Sequence, residues 1–320
     1  MLNQLTRQSL AVGLASQEAA IDIENNINAA AVNPFARHFY VNSSLTVARD
    51  GQGVGLNPEN PFATLAFALT QAVAARGDII HLAPSHAETI AVAGGITMSK
   101  AGVTVIGHGY GSWKPTFTWS AVGSTWLVSA ANCVVKNIRC TSSVDEMVKM
   151  FSVTAANLIM DAVDVFETAS AQIIQFLLTT NAADGITIIN CKHVQRTAAA
   201  ATQIWIQLVG VNDALIANNV FLLTLKNETA SYTIGGTTAC VDSFLYRNTI
   251  HQAGGNTQDK CVGFVTGSTG MMRENAALTG TGVAITAAFV GDAMGFIDNK
   301  WHDTIGTASG LLTPAVDTDT

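Results

Sequence analysis

Asp161, Asp164 and Glu167 follow one another at intervals of three residues, with Asp145 and Glu146 upstream and Lys149 or Arg196 as a basic companion. Two carboxyl groups flanking a glycosidic bond can hydrolyse it, one protonating the leaving oxygen and the other attacking or activating water. Carboxylates sharing a calcium ion beside a base would instead suit cleavage of an acidic sugar chain. His81, His86, Glu88 and His108 form a second set, of the types that bind zinc. The spacing argues against both. Asp161 ends a repeated turn, which already accounts for it, and Asp164 and Glu167 fall in polar loop positions. No neighbouring segments bring together the dense acidic cluster that calcium needs. His81 lies in the strand-like DIIHLA and His108 in the Gly-rich GHGYG, so convergence on one ion is not expected. GHGYG is no phosphate loop, because no Lys-Ser/Thr follows it, and neither a nucleophile elbow nor a CxxC occurs. Trp113, Trp119 and Trp126 could make a sugar platform, but strand packing or a subunit contact is the expected use. No catalytic residue, cofactor or metal ligand is therefore assigned.

What must position any such residue is a repeat. Between Cys133 and His302, seven short apolar segments end at an amide or carboxylate: CVVKN, LIMD, ITIIN, LIANN, SFLYRN, MMREN and GFIDN. Their last residues are Asn137, Asp161, Asn190, Asn219, Asn248, Asn275 and Asn299, spaced by 24, 29, 29, 29, 27 and 24. Periods of this size mean stacked units. Their β-branched and aromatic content, alternating over four to six residues, makes the units strands rather than helix pairs. Two or three short strands per turn predict a parallel β-helix, each coil hydrogen-bonded to the next at about 4.8 Å. Asn suits the recurring turn, since its amide donates and accepts and it tolerates left-handed backbone. The seven residues are expected to stack as a ladder.

Composition agrees with such an object. Of 320 residues 48% are hydrophobic and only 12% charged, as in a solenoid faced with Thr, Ser, Asn and Gly. A net charge of −7 gives no basic face for nucleic acid, and no run of 18 apolar residues exists to span a membrane. Met1 to Ser16, with one Arg and the short apolar run LAVGLA, imitates a secretion signal only weakly and is not expected to be cleaved as one. Cys133, Cys140, Cys191, Cys240 and Cys261 lie in or beside apolar strands without metal-like spacing, which predicts core thiols in a reducing compartment.

Taken in order, residues 1–38 stand outside the repeat. Ala20, Ile23, Ile27 and Ala30 recur at helical spacing and form a thin apolar stripe, expected to pack on the end of the β-helix or on another chain. Asn60-Pro61 predicts the start of a second helix that runs to Arg76 and covers the end of the first coil. The block from Pro61 to Gly109 then resembles the opening coils of right-handed parallel β-helix proteins of the pectin-lyase-like type. Pro61, Phe62, Thr64, Gly77, Asp78, Pro84 and Glu88 match that pattern, while Ser85 replaces the usual Gly. With its His-Ala-Glu-Thr variant the block looks like those of bacteriophage structural proteins.

The expected fold is an all-β, right-handed parallel β-helix solenoid with an N-terminal helical arm and a capping helix. Its parts are residues 1–38 (arm), 39–76 (extended segment and capping helix), 77–310 (β-helix) and 311–320 (tail). The resemblance and the missing acidic cluster imply a non-enzymatic virion protein of the capsid decoration, or cement, type. It would fold in the host cytoplasm, assemble as a homotrimer, and fasten to the major capsid protein or another virion protein through its arm, with no nucleic acid or membrane involved. The alternatives are a tailspike-like protein that binds or cleaves polysaccharide, and a cell-surface adhesin.

Overall fold

The computed structural model describes residues 35–167, 171–253, 260–279, 288–291, 293–303 and 309–311. Three sheets of ten, eight and ten strands, parallel except for one terminal pair, run side by side along one axis. The chain visits them in rotation. A coil starts in the first ten-stranded sheet, turns a corner into the second ten-stranded sheet, and returns through the eight-stranded sheet. This is a right-handed parallel β-solenoid, the hand that parallel crossovers take.

Register follows the apolar alternation. Ile216 stands opposite Ile188 in one coil and Leu245 in the next. All three point inward, and repetition of that choice builds one continuous core. Aromatic rings form a column inside it. Phe117 meets Trp126 at 5.1 Å, Trp126 meets Phe151 at 5.4 Å, and Phe151 meets Phe176 at 5.3 Å between ring centroids. His193 continues the column against Phe176 and Phe221. Its Nδ1 accepts the indole N–H of Trp205 at 2.7 Å, so its Nε2 carries the proton, 3.1 Å from the Val163 carbonyl oxygen. Trp119 and Trp126 are wholly buried here. Each fully buried large side chain contributes about 1.5–3 kcal/mol. All five cysteines are buried free thiols.

The solenoid starts earlier than the sequence suggested. His38–Val41 pairs in parallel with Ile79–Leu82 and is the first strand of the first sheet. The capping helix α1 spans Leu65–Gln71 rather than Asn60 to Arg76. Its N-cap is Thr64, whose hydroxyl accepts the Phe67 N–H at 3.1 Å, while the Glu88 carboxylate accepts the Leu65 N–H at 2.6 Å. Pro61 and Phe62 are used instead in an extended bridge to Val41. Leu65, Ala68, Leu69 and Ala72 close the end of the core. Ser85 keeps the left-handed turn that its position needs, with φ +62°. At the other end Leu311, expected to begin the tail, still pairs with Lys300 in the antiparallel strand Ser309–Leu311. Ala20, Ile23, Ile27 and Ala30 lie outside the described residues.

The corner between the first and second sheets corrects the expected ladder. Each coil bends at one left-handed residue: Asn137, Ala162, Asn190, Asn218, Arg247, Glu274 and Asp298, with φ from +49° to +57°. The residue after it points inward. Asn219, Asn248, Asn275 and Asn299 occupy that inward position and are buried. Each Nδ2 donates to the next Oδ1, at 2.9, 2.9 and 2.8 Å. The other three do not join them. Asn137 and Asn190 are the left-handed residues themselves, and Asp161 is the last strand residue before one. Their inward neighbours are Ile138, Val163 and Cys191. Asn serves both positions well, one for its backbone and the other for its amide, and the offset is a single residue.

Candidate functional site

The acidic residues that could cleave a sugar each have a structural partner. Asp161 meets the Lys136 ammonium at 2.8 Å and accepts the Asn190 side-chain N–H at 2.9 Å. Asp164 meets Lys114 at 2.8 Å and accepts the Lys192 backbone N–H at 3.2 Å. Glu167 accepts the backbone N–H groups of Arg196 and Thr197, and Glu146 those of Ala200 and Ala201. Burial raises the Glu167 pKa, and those two N–H groups oppose it. Asp145 accepts the N–H of Glu146. All but Asp145 tie their own coil to another, Glu146 reaching two coils on.

The histidine set divides. His86 is buried at the capped end, where its Nδ1 accepts the Ser43 N–H at 3.0 Å and its Nε2 lies 3.3 Å from Glu88. His81 and His108 face outward from the first sheet and are joined by His38, which the sequence did not single out. His38 Nδ1 lies 2.9 Å from His81 Nε2, and His81 Nδ1 lies 2.9 Å from His108 Nε2. Neighbouring rings stack at 5.2 Å, and Tyr40 stacks on His81 at the same distance. Each N···N contact calls for one proton between its two ring nitrogens, so the row can both donate and accept. Burial, with His108 and His38 alongside, lowers the His81 pKa to about 4. The ring is neutral at pH 7. Among the described residues, no three His, Cys, Asp or Glu side chains converge as metal ligands.

The row opens into a groove of about 250 Å³ walled by Tyr40, Pro58, Pro61, His81, Pro84 and His108. Beyond His108 the chain makes a short 3-10 turn, Gly111–Trp113. It leaves Tyr110 82% and Trp113 60% exposed, large values for aromatic rings beside the sealed Trp119, Trp126 and Trp205 and the partly buried Trp301. The turn is held from several sides. Ser85 N–H donates to the Trp113 carbonyl at 2.8 Å, Asn137 donates to the Gly107 and Gly109 carbonyls at 2.8 Å each, and Lys114 reaches Asp164. Gly107 is needed where it stands, because a Cβ there would fall 2.1 Å from the Asn137 carbonyl oxygen. The arrangement offers fixed aromatic faces beside uncharged hydrogen-bonding rings.

No family model matches the chain, and no curated protein does. A solved structure named rhamnogalacturonan lyase is similar in fold. Its TM-score is 0.49 at 14% identity, over 83% of this chain and 74% of that one. One expectation is corrected here. The chain was read as a non-enzyme, and the structure that it resembles carries the name of an enzyme.

Sequence reasoning missed Tyr40 and His38. They lie outside the regular repeat, and only the pairing of His38–Val41 with Ile79–Leu82 sets them beside His81. Trp113 could have been told from Trp119 by alternation, since TFTW puts Trp119 on the same inward face as Phe117.

Proposed function

We propose that this chain is a polysaccharide-binding β-solenoid and that its site is the corner lined by Tyr40, His81, His108, Tyr110 and Trp113. The observation that carries the reading is the pair of exposed rings, Tyr110 and Trp113, on a turn pinned to three neighbouring segments. Sugar rings present apolar C–H faces and rims of hydroxyl groups. Fixed aromatic faces suit the first at small entropic cost, and a row of hydrogen-bonding imidazoles suits the second. A net charge of −7 and an uncharged His81 favour neutral glycans over anionic ones. The test is calorimetric titration with neutral and acidic polysaccharides, with reducing ends and unsaturated products assayed on the same samples. Saturable binding to a neutral glycan that Trp113→Ala weakens supports the reading. Binding to none, or binding indifferent to Trp113, overturns it.

A second reading is the virion protein fastened through residues 1–38. It rests on the sequence alone, on the stripe Ala20, Ile23, Ile27 and Ala30 and on the likeness of Pro61 to Gly109 to phage structural proteins. Co-sedimentation with phage capsids tests it.

A further inference from the structure

The groove beside the histidine row is walled by two kinds of residue. Strands supply polar ones, Tyr40 and Asn42 at the first strand and its exit and His81 on the second. Loops supply proline, Pro58 and Pro61 after the first strand and Pro84 on the turn after Leu82. At about 250 Å³ the groove falls just below the roughly 300–1,000 Å³ of drug-sized sites, which is room for one sugar ring and not for several. The exposed aromatic turn abuts it, since Ser85, next to Pro84, donates its N–H to the Trp113 carbonyl at 2.8 Å.

Its hydrogen-bond donors fall on one kind of wall. A proline has no N–H, so Pro58, Pro61 and Pro84 offer none. The neighbouring backbone donors are already used. Tyr40 N–H donates to the Gly55 carbonyl at 2.8 Å, and those of Asn42, Ala83 and His108 donate to the Phe62, Val41 and Leu82 carbonyls at 2.9 Å each. Val41 and His81 lie within paired strands. The remaining donors are side chains: the imidazole row, the Tyr40 hydroxyl and the Asn42 amide, whose Oδ1 accepts the Ser44 N–H at 3.0 Å. A ligand hydroxyl turned towards the histidines or Asn42 finds a partner. One pressed against the prolines finds no N–H to accept from, and a C–H surface suits that wall better.

An ordinary hexose has no end that meets this wall without a hydroxyl, because its C6 carries one as well. A 6-deoxyhexose has a methyl group there and keeps its hydroxylated rim. We propose that the groove holds one 6-deoxyhexose residue of the glycan, its methyl group against Pro58, Pro61 and Pro84 and its hydroxyl groups towards His81, His108 and Asn42. This rests on the glycan-binding reading and adds a sugar class to it. The adjoining residues of the glycan then lie over Tyr110 and Trp113. An apolar site rejects a ligand that merely gains a hydroxyl by about tenfold to a hundredfold, so the groove selects the deoxy sugar from its parent hexose.

Matched methyl glycosides test this on the full chain: fucoside against galactoside, rhamnoside against mannoside, and 6-deoxyglucoside against glucoside. Within each pair, taken in the same configuration, only the C6 hydroxyl differs. Affinities are read by titration followed by NMR. At least one deoxy sugar should bind about tenfold or more tightly than its partner. Pro84→Ser adds an N–H and a hydroxyl to that wall at an exposed turn, and should bring the ratio towards one. Equal or tighter binding of the hydroxylated partners, or a ratio that Pro84→Ser leaves intact, would overturn the proposal. Failure of all six to bind would overturn it too, and a neutral polysaccharide then tells the two readings apart. If the polysaccharide binds and Trp113→Ala weakens it, only the sugar assigned to the groove is wrong. If it does not bind, the glycan reading falls as well.

Discussion

Asn248 Oδ1 accepts two hydrogen bonds from Asn219, one from its side-chain amide at 2.9 Å and one from its backbone N–H at 3.2 Å. Asn248 in turn donates to Asn275 Oδ1 at 2.9 Å and to the Ile216 carbonyl at 2.8 Å. Every rung thus satisfies a buried backbone group at a bend where the regular ladder is broken. Truncating one rung strands groups on both sides, and a buried polar group left without a partner costs about 1–3 kcal/mol. Asn248→Ala should therefore destabilise the chain by about 3 kcal/mol or more, read as a lowered urea midpoint. A loss below about 1 kcal/mol would mean that water replaces the missing amide.

Asn190 is the contrasting case. It is exposed and left-handed, at φ +56°, and its amide reaches only Asp161. Glycine takes that backbone conformation freely, whereas alanine pays about 1–2 kcal/mol for it. Asn190→Gly should lie within about 0.5 kcal/mol of the parent and Asn190→Ala about 1 kcal/mol below it. If Asn190→Gly falls as far as Asn248→Ala, the outward position is contributing far more than its one amide bond.

The repeat was legible because inward positions must be apolar in every coil, so CVV, ITII and SFL betray themselves without any alignment. The one-residue offset of Asn137, Asp161 and Asn190 was not, because Asn is favoured at both adjacent turn positions for different reasons. The capping helix was legible as an apolar run, but its start was misplaced. Asn60-Pro61 is a good local helix signal, and it loses to the bridge between Phe62 and Val41, a contact more than twenty residues away along the chain. The histidine row was illegible for the same reason. His38, His81 and His108 meet only because three strands align, and nothing local marks them.

Stability should fall on mild acidification. Burial holds the pKa of His193 at about 3 and, with its histidine neighbours, that of His81 at about 4, while the unfolded chain titrates near 6.5. Below pH 6.5 the unfolded state takes up protons that the folded state refuses, so stability drops progressively towards those lower values. For the sealed His193 the loss between pH 7 and pH 5 is about 2 kcal/mol, and His81 acts in the same direction. His193→Gln should flatten the dependence of the urea midpoint on pH over this interval. An unchanged slope would mean that His193 is not held neutral.

Asp78 acts lower on the pH scale. It is buried, which raises its pKa, but Arg76 at 2.6 Å and the N–H groups of Arg37 and Val73 outweigh burial and leave the pKa lowered. Its contribution is complete above the unfolded carboxylate value and is lost as pH falls through the folded one. Asp78→Ala should cost about 3–5 kcal/mol at pH 7, since Arg76 and two backbone donors lose their partner together. The same variant should be less sensitive than the parent to acid below pH 4. Parallel acid unfolding curves for variant and parent would remove Asp78 from the account.

Tyr110 and Trp113 supply the last prediction. Both are exposed and make no core contacts, so replacing them should leave the thermal midpoint within about 2 °C of the parent, as for surface sites in general. A stacked aromatic contributes about 0.5–1.5 kcal/mol beyond its buried area, and 1.4 kcal/mol is tenfold in affinity. Trp113→Ala should thus weaken glycan binding about tenfold, and Trp113→Phe should restore part of the loss because it keeps a flat ring. Asn137→Ala frees the turn that carries both rings by removing its bonds to the Gly107 and Gly109 carbonyls. It should weaken binding through entropy, with a larger unfavourable −TΔS in calorimetry, although Asn137 lies behind the turn. Were Asn137→Ala to leave affinity and its entropy unchanged, rigidity of the turn would not be what readies these rings for a sugar.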